Sequence, residues 1–314
     1  MIRSVIKCIF QIRQPKVLYM INPDPIFYAE MDDLIINQLT QQNAQVQRVN
    51  LQDISFTVGN EFKFYINNEL IDFDAFLAYG YMNPKHFLDY LYINQAVHAS
   101  GRITLHKPET EHILYNKLLQ YINFSKYKIP FPKIGTAFSI NSFKSVIQQF
   151  DEEAIMKDVH GYSGIGVHLT HCRNNSVEMY SRALWKQEQQ ISQVYVDDCP
   201  GKSVRVLVIG GKAASVAEFK FSKNFRSVGL SEEASVESLM NSEKKDIYFD
   251  LAEKACLAID DNITIGGVDI LDSKRFGLQV LEVNSCPEIC DSINATNLPL
   301  LEYFGQAFLK KIKI

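Results

Sequence analysis

Along the first hundred residues the spacing of apolar positions changes repeatedly, and each change marks an element. The run "KVLYMIN" (16–22) is almost continuously apolar and reads as a buried strand. Residues 29–42 carry apolar side chains at helical spacing, and "AQVQRVNL" (44–51) returns to a strand. A strand, a helix and a strand in that order predict an open sheet with helices on its faces. "EFKFYINNELI" (61–71) alternates on either side of Asn67-Asn68, a hairpin pattern. "FDAFLAYGY" (73–81) is another buried strand, and 84–100 is a helix with an aromatic inner face.

From 110 onward the pattern predicts a helix over 110–127, ended by Pro130 and Pro132. A short helix over 141–150 follows, opened by an Asn cap. Residues 153–170 read as strand, glycine-rich loop, strand. A strand over 189–196 precedes a hairpin over 203–220, turned at Gly210-Gly211. A helix is expected over 235–261, then strands over 263–271 and 276–284 joined by the polar turn "DSKR", and a last helix over 299–312. These elements group into three modules in sequence: 1–108, 109–195 and 196–314. The fold class is mixed α/β (α+β), and no internal repeat or low-complexity linker interrupts it.

Composition narrows the classes of function. A net charge of −4 supplies no general attraction to nucleic acid or to anionic membrane. No apolar run approaches the ~20 residues of a membrane helix, and the basic, mildly apolar start lacks a signal-peptide core. The six cysteines are scattered; Cys286 and Cys290 are close, but in neither zinc-ribbon nor redox spacing. A soluble, cytoplasmic protein with reduced thiols is expected, with no nucleic-acid or membrane partner.

One strand carries unexpected chemistry. In "GLQVLEVNSC" (277–286), Glu282 and Asn284 lie two residues apart, on one face of an otherwise apolar strand. If Leu271 faces Leu278 across the hairpin, Asp269 faces Val280 and Gly267 faces Glu282. Asp269, Glu282 and Asn284 then share a face, with the two carboxylates diagonal to one another. Two carboxylates and an amide oxygen are hard donors, suited to Mg²⁺ or Mn²⁺ rather than zinc. Gly266 and Gly267 are expected to leave the adjacent floor open to a bulky anion. The plain alternative is that these groups only hydrogen-bond to nearby loops.

"KDVHGYSGIGV" (157–167) adds a loop with Gly161, Gly164 and Gly166 between two strands. Such a loop can offer backbone N–H groups to a triphosphate. It is neither a P-loop nor the dinucleotide fingerprint, because it precedes a strand and lacks the Gly-Lys-Ser/Thr ending. Lys157, just before the loop, stands where a point charge could reach a phosphate.

Taken in order, "MKDVHGYSGIGVHL", "FRS" (225–227), "GGVDIL" and "LEVNSCP" resemble the ATP-grasp superfamily, over roughly residues 106–314. Within it the likeness is to the RimK-like glutamate ligases, with glutathione synthetases as a neighbouring branch. The resemblance implies an ATP-grasp fold behind an N-terminal open-sheet domain, and ATP with Mg²⁺ or Mn²⁺ as cofactors. It implies that Lys117, Lys157, Gly161, Ser163, Gly164 and Gly166 contact the nucleotide. Gln193, Val194, Tyr195 and Val196 would form the adenine hinge, with Ser203 toward the ribose. Arg205 and Arg226 would act on the phosphates with Ser227 beside them, and Asp269, Glu282 and Asn284 would hold the metal.

The chain departs from the family pattern at Val194, Ser203, Val228 and Glu288. Val194 is compatible with a hinge that works through its backbone. Asp197 or Asp198 could replace a ribose contact that Ser203 weakens. Val228 and Glu288 lie toward the acceptor side. Glu288 follows Pro287, which is expected at the first position of a helix.

The implied reaction joins a carboxylate to an amine through an acylphosphate, with an amino acid, peptide or protein as acceptor. Two other functions remain open: a glutathione-synthetase-like ligase for one small peptide, and a nucleotide-binding regulatory protein without turnover. Self-association is a further expectation of the resemblance.

Overall fold

The computed structural model describes residues 13–21, 25–80, 86–150, 153–160, 166–221 and 235–312. The chain divides into two compact units: Met1–Pro108 with Leu301–Ile314, and Glu109–Leu300.

In the first unit, β1 (Lys16–Met20), β2 (Gln45–Val49), β6 (Ala75–Ala78) and β7 (Ile103–Thr104) form a parallel sheet in the order β2-β1-β6-β7. Helices α1 (Pro25–Gln41) and α2 (Phe87–Ala99) are the crossovers that parallel strands require. β1 and β6 are central strands, buried along nearly their whole length, which is why both read as apolar runs. A small antiparallel sheet, β3 (Ile54–Val58), β4 (Phe62–Ile66) and β5 (Glu69–Ile71), interrupts this order. Its β4–β5 turn sits at Asn67 and Asn68, with φ of 49° and 69°, the left-handed values that a tight two-residue hairpin needs. The final helix, α9 (Leu300–Leu309), groups with this unit rather than with the segment before it, and its Phe304 meets Tyr79 edge-on at 5.5 Å.

The second unit holds two antiparallel sheets. The smaller has the order β10-β9-β11-β8, from β8 (Ile134–Gly135), β9 (Ala154–Asp158), β10 (Val167–Thr170) and β11 (Gln190–Val194). Helices α5 (Ile140–Ile147) and α6 (Arg173–Trp185) pack on it, with Phe143 stacked on Tyr180 at 3.9 Å. The larger has the order β14-β13-β12-β15-β16. Its strands are β12 (Lys202–Ile209), β13 (Lys212–Lys220), β14 (Ser235–Ser238), β15 (Ile265–Ser273) and β16 (Gly277–Asn284). α4 (Lys117–Lys126) and α7 (Lys245–Ile259) bury their apolar faces against its core of Val204, Val206, Val268, Ile270, Val280 and Val283. Among the described residues no helix is long and apolar enough to cross a membrane.

Several elements differ from the sequence expectation, each for a local reason. The helix expected over 110–127 is two: α3 (Pro108–Tyr115) and α4. Asn116 takes extended φ/ψ between them, and its side chain accepts from Leu119 N at 3.0 Å, capping α4 afresh. α5 is capped by Ser139, whose Oγ accepts from Ser142 N, and not by Asn141. The helix expected over 235–261 begins with an edge strand, β14, paired to β13, and the helix proper starts only at Lys245. α6 occupies a stretch to which the sequence pattern assigned no element; Ser176, Tyr180 and Ala183 form its buried stripe.

Candidate active site

The polar residues of β15 and β16 share one face, but in a different register from the one the hairpin pattern suggests. Asp269 lies directly opposite Glu282, and Gly267 opposite Asn284. Beyond this pair the register shifts, with Ile270 opposite Val280, so Leu281 is an extra residue in a β-bulge. The turn is the first cause. Gly277 adopts φ 71°, which closes a three-residue loop with Ser273 opposite Gly277. The bulge then brings the two carboxylates level, so they are cross-strand neighbours rather than diagonal ones.

Arg205 stands next to them on β12, directly opposite Asp269. Its Nε donates to Asp269 Oδ1 at 2.7 Å and its Nη2 to Oδ2 at 2.9 Å, a two-pronged ion pair. The guanidinium lies over the Phe219 ring at 5.0 Å. Burial alone would lower the Arg205 pKa, but Asp269 and Glu282 more than reverse it, so the group holds its proton more firmly than usual. Asn284 Nδ2 donates to Asp269 Oδ2 at 3.2 Å and to Gly267 O at 3.4 Å.

Lys117, the first residue of α4, pairs through Nζ with Glu282 Oε2 at 3.2 Å. Its backbone N–H donates to Val159 O at 3.0 Å, tying the start of α4 to the end of β9. Lys157 comes from β9, opposite Ile191 and Val167, and is buried. Among the described residues its ammonium has no ion-pair partner within 4 Å. Burial pushes its pKa down to about 8; Glu282 opposes that, Lys117 adds to it and Asp269 opposes it. Burial works against ionised Glu282, yet Lys117, Lys157 and Arg205 hold its carboxyl well below the usual range.

Three cations, from a helix and two sheets, therefore surround two carboxylates at a largely buried site. The set is left one positive charge in excess, the balance of a pocket that takes an anion. The donors facing it are oxygens only. Among the described residues no three or more His, Cys, Asp or Glu side chains are placed to hold a metal ion by themselves. Two carboxylates and an amide would suit a hard cation such as Mg²⁺, and do not suit zinc.

Other expected residues fall as follows. Gln193 is buried on β11 and donates to Tyr121 Oη at 3.3 Å. Val194 gives its N–H to Lys133 O, and the Val196 carbonyl accepts from Cys199 N, so both backbone groups, expected at a hinge, are engaged within the protein. Tyr195 is partly buried and follows β11 directly. Ser203 lies on β12 opposite Phe219. The Asp198 carboxylate accepts from Ser273 Oγ and Arg275 N, bracing the β15–β16 turn. Gly166 has φ 74°, and a Cβ there would collide with the Asp158 carboxylate. Gly161, Ser163, Gly164, Arg226, Ser227 and Val228 lie outside the described residues.

Two expectations are corrected. The glycines 266 and 267 do not leave an open floor: a Cβ on Gly267 would lie 2.5 Å from Pro287 Cβ, and one on Gly266 would press on Cys256. They make room for the returning chain and for the core. Pro287 does not open a helix either; α8 (Cys290–Thr296) begins three residues later. Glu288 Oε1 accepts from Cys290 N at 3.0 Å, satisfying a donor of its first turn, and burial raises the Glu288 pKa. Cys172, Cys199 and Cys256 are free thiols.

The sequence reading missed the residues of α4 beyond Lys117. Gln120 and Tyr121 hydrogen-bond to the backbone of β16. Their signal was present, since 117, 120 and 121 fall on one helical face.

A family model described as the RimK-like ATP-grasp domain matches residues 115–299, which include every described residue of the cluster. The "Probable alpha-L-glutamate ligase" of Histophilus somni (strain 2336) is 31% identical over 158 residues, 49% of this chain and 48% of that protein. The match thus spans about half the length of that curated relative. Among solved structures, the ATP-grasp ligase PsnB complexed with minimal precursor superposes with a TM-score of 0.69 at 14% identity, over 95% of this chain and 99% of that one. D-alanyl-alanine synthetase A from Vibrio cholerae O1 biovar eltor does so with a TM-score of 0.71 at 15% identity, over 95% and 98%. At such identities the likeness establishes the fold, which is the ATP-grasp fold.

Proposed function

Because the chain belongs to the RimK-like ATP-grasp family, we propose that it is an ATP-dependent carboxylate–amine ligase. The observation that carries this reading is the buried set of Lys117, Lys157 and Arg205 around Asp269 and Glu282. In the proposed reaction an oxygen of a substrate carboxylate attacks the γ-phosphorus of ATP, and the bond to the β-phosphate oxygen breaks, releasing ADP. The amine nitrogen then attacks the acyl carbon of the acylphosphate, phosphate leaves, and the nitrogen gives up a proton to yield the amide.

The first step brings two anions together, so its barrier is chiefly electrostatic. Lys157 and Lys117 counter the charge on the polyphosphate from two different elements. Arg205 fixes the orientation of Asp269, so that the carboxylate needs no rearrangement when substrate arrives. A divalent cation held by Asp269, Glu282 and Asn284 would supply Lewis-acid neutralisation of the phosphate oxygens. Gly161, Ser163, Gly164 and Gly166 are proposed as phosphate contacts of the loop. Gln193, Val194, Tyr195 and Val196 are proposed as the adenine hinge, Ser203 as a ribose contact, and Arg226 with Ser227 as groups near the γ-phosphate. The carboxylate attacks without a general base, so no His–Asp dyad is required.

The substrate classes follow from relatives: a glutamate ligase, a D-alanyl-alanine synthetase and a ligase complexed with a precursor peptide all bear on it. We place the carboxylate and the amine among amino acids and peptides. The test is a pairwise screen of amino acids and short peptides for MgATP-dependent phosphate release, with mass detection of the product. Release that requires both partners, with loss of one water from their summed mass, is the expected result. Nucleotide binding without partner-dependent release across the screen would overturn the ligase reading.

A further inference from the structure

The strand that carries Glu282 and Asn284 lies at the edge of its sheet, with β15 on one side only. In an antiparallel ladder the N–H and C=O of one residue point to the same side, and successive residues alternate. Glu282 and Asn284 direct their backbone groups toward β15, so those of Val283 point outward. Helix α4 meets them there. Val283 N donates to Gln120 Oε1 at 2.8 Å, and Gln120 Nε2 donates back to Val283 O at 3.1 Å and to Leu114 O at 2.7 Å. One turn of the same face supplies two further contacts. Tyr121 Oη donates to Leu281 O at 2.7 Å, and Lys117 pairs with the Glu282 side chain. Three consecutive strand residues are thus held by positions 117, 120 and 121 of one helix, and the first of the three is the bulged residue.

We propose that Gln120 and Tyr121 are positioning residues for the metal and nucleotide site, an inference that rests on the functional reading above. They hold β16 in the bulged register that sets Glu282 level with Asp269. A strand with a bulge has a competing register one residue away, and a slip there turns every side chain beyond it to the opposite face. The apolar residues do little to oppose that slip, because Val280 and Leu281 are both aliphatic. The amide of Gln120 opposes it by geometry, since its one acceptor and two donors are all committed where it stands. Gln120 is only 2% exposed, so no solvent is at hand to replace these bonds. Tyr121 reaches further: it also accepts from Gln193, which links the clamp to β11.

The experiment uses the full chain, as parent, Gln120→Met and Tyr121→Phe. Affinity for a non-hydrolysable ATP analogue is measured by calorimetry in EDTA. Affinity of the analogue complex for Mn²⁺ is measured by electron paramagnetic resonance. Gln120→Met is expected to weaken Mn²⁺ binding about tenfold, in the range found when groups behind metal ligands are removed. Tyr121→Phe should weaken it about threefold, the net worth of one hydrogen bond, with metal-free nucleotide affinity within about twofold of the parent in both. Rotated donors lose the cation while the phosphate-facing cations keep the nucleotide. Unchanged Mn²⁺ affinity in both variants overturns the proposal, as does a parallel loss of metal and metal-free nucleotide binding. If Gln120→Met does not fold, Tyr121→Phe decides alone, since it removes one hydroxyl and keeps the ring packing. A parent that binds neither nucleotide nor Mn²⁺ overturns the functional reading and this role with it. A parent and variants that bind both equally well overturn this role alone.

Discussion

On the five-stranded sheet the charges of the site come already matched. Arg205 grips Asp269 with two hydrogen bonds, Asn284 braces the same carboxylate, and Glu282 has Lys117 at 3.2 Å. On the four-stranded sheet, Lys157 is buried with no ion-pair partner within 4 Å among the described residues. The first arrangement offsets the cost of burial within the protein itself. The second leaves a cost outstanding, to be relieved by whatever anion arrives. One sheet therefore holds a finished scaffold, while the other holds the group whose energy changes most upon binding.

Four measurements bear on that contrast. The largest effect is expected at Arg205. Arg205→Met leaves a buried carboxylate without its partner and should cost about 3 kcal/mol of stability in urea unfolding. A loss below about 1 kcal/mol would mean that Asp269 is not held in place by the pair. Lys157→Met should behave in the opposite way. ATP affinity should fall roughly 10- to 100-fold, the worth of a charged hydrogen bond, while the melting temperature holds or rises. Lower melting with unchanged nucleotide binding by calorimetry would reverse the contrast between the sheets.

Titration gives a smaller effect with a defined sign. The Lys157 pKa is lowered from 10.5 to about 8, burial being the main cause. Between those values the unfolded chain holds a proton that the folded one lacks, so Lys157 makes stability rise with pH across that window. A bound polyphosphate favours the protonated form. Affinity should therefore fall as pH rises through about 8, by up to about tenfold between about pH 7 and about pH 9, with net proton uptake above 8. Calorimetry in buffers of different ionisation enthalpy measures that uptake, and Lys157→Met should abolish it. The smallest effect is expected at Glu288, where the Cys290 N–H contact survives replacement by an amide. Glu288→Gln should change stability by less than about 0.5 kcal/mol in chemical unfolding. A larger loss would assign the carboxylate charge itself a structural role.

What the sequence made legible tracks the kind of force involved. Buried strands such as β1 and β6 announced themselves because long apolar runs have few other fates. The Asn67-Asn68 turn did so because few residue pairs accept two left-handed conformations. Asp269, Glu282 and Asn284 stood out as polar groups in apolar strands. Their register did not, because it is set by a left-handed Gly277 and by an extra residue at 281, neither of which alternation reveals. The break at Asn116 was hidden inside a continuous helical pattern, since the apolar spacing of α3 runs on into α4. Gln120 was overlooked for a different reason: it shares a helical face with Lys117 and Tyr121, but a glutamine on an amphipathic helix usually reads as solvent-facing, and its contacts with the edge of β16 show that it is not.

The bulge at Leu281 has a further consequence, for changes in chain length. The tip of the hairpin keeps one register, with Ser273 opposite Gly277, and the site keeps another, with Asp269 opposite Glu282. The two are out of phase by one residue, and the bulge is the joint that takes up the difference. A one-residue deletion in the tip is absorbed by closing that joint: the loop draws in Gly277 to stay three residues long, and Ser273 then faces Leu278. Leu281 would then take the core position that Val280 now fills, one aliphatic residue for another. The hairpin therefore has a mechanical tolerance of one residue built in beside its most exacting contacts. Variation in loop length at 274–276 can be spent at the joint before it reaches the carboxylates.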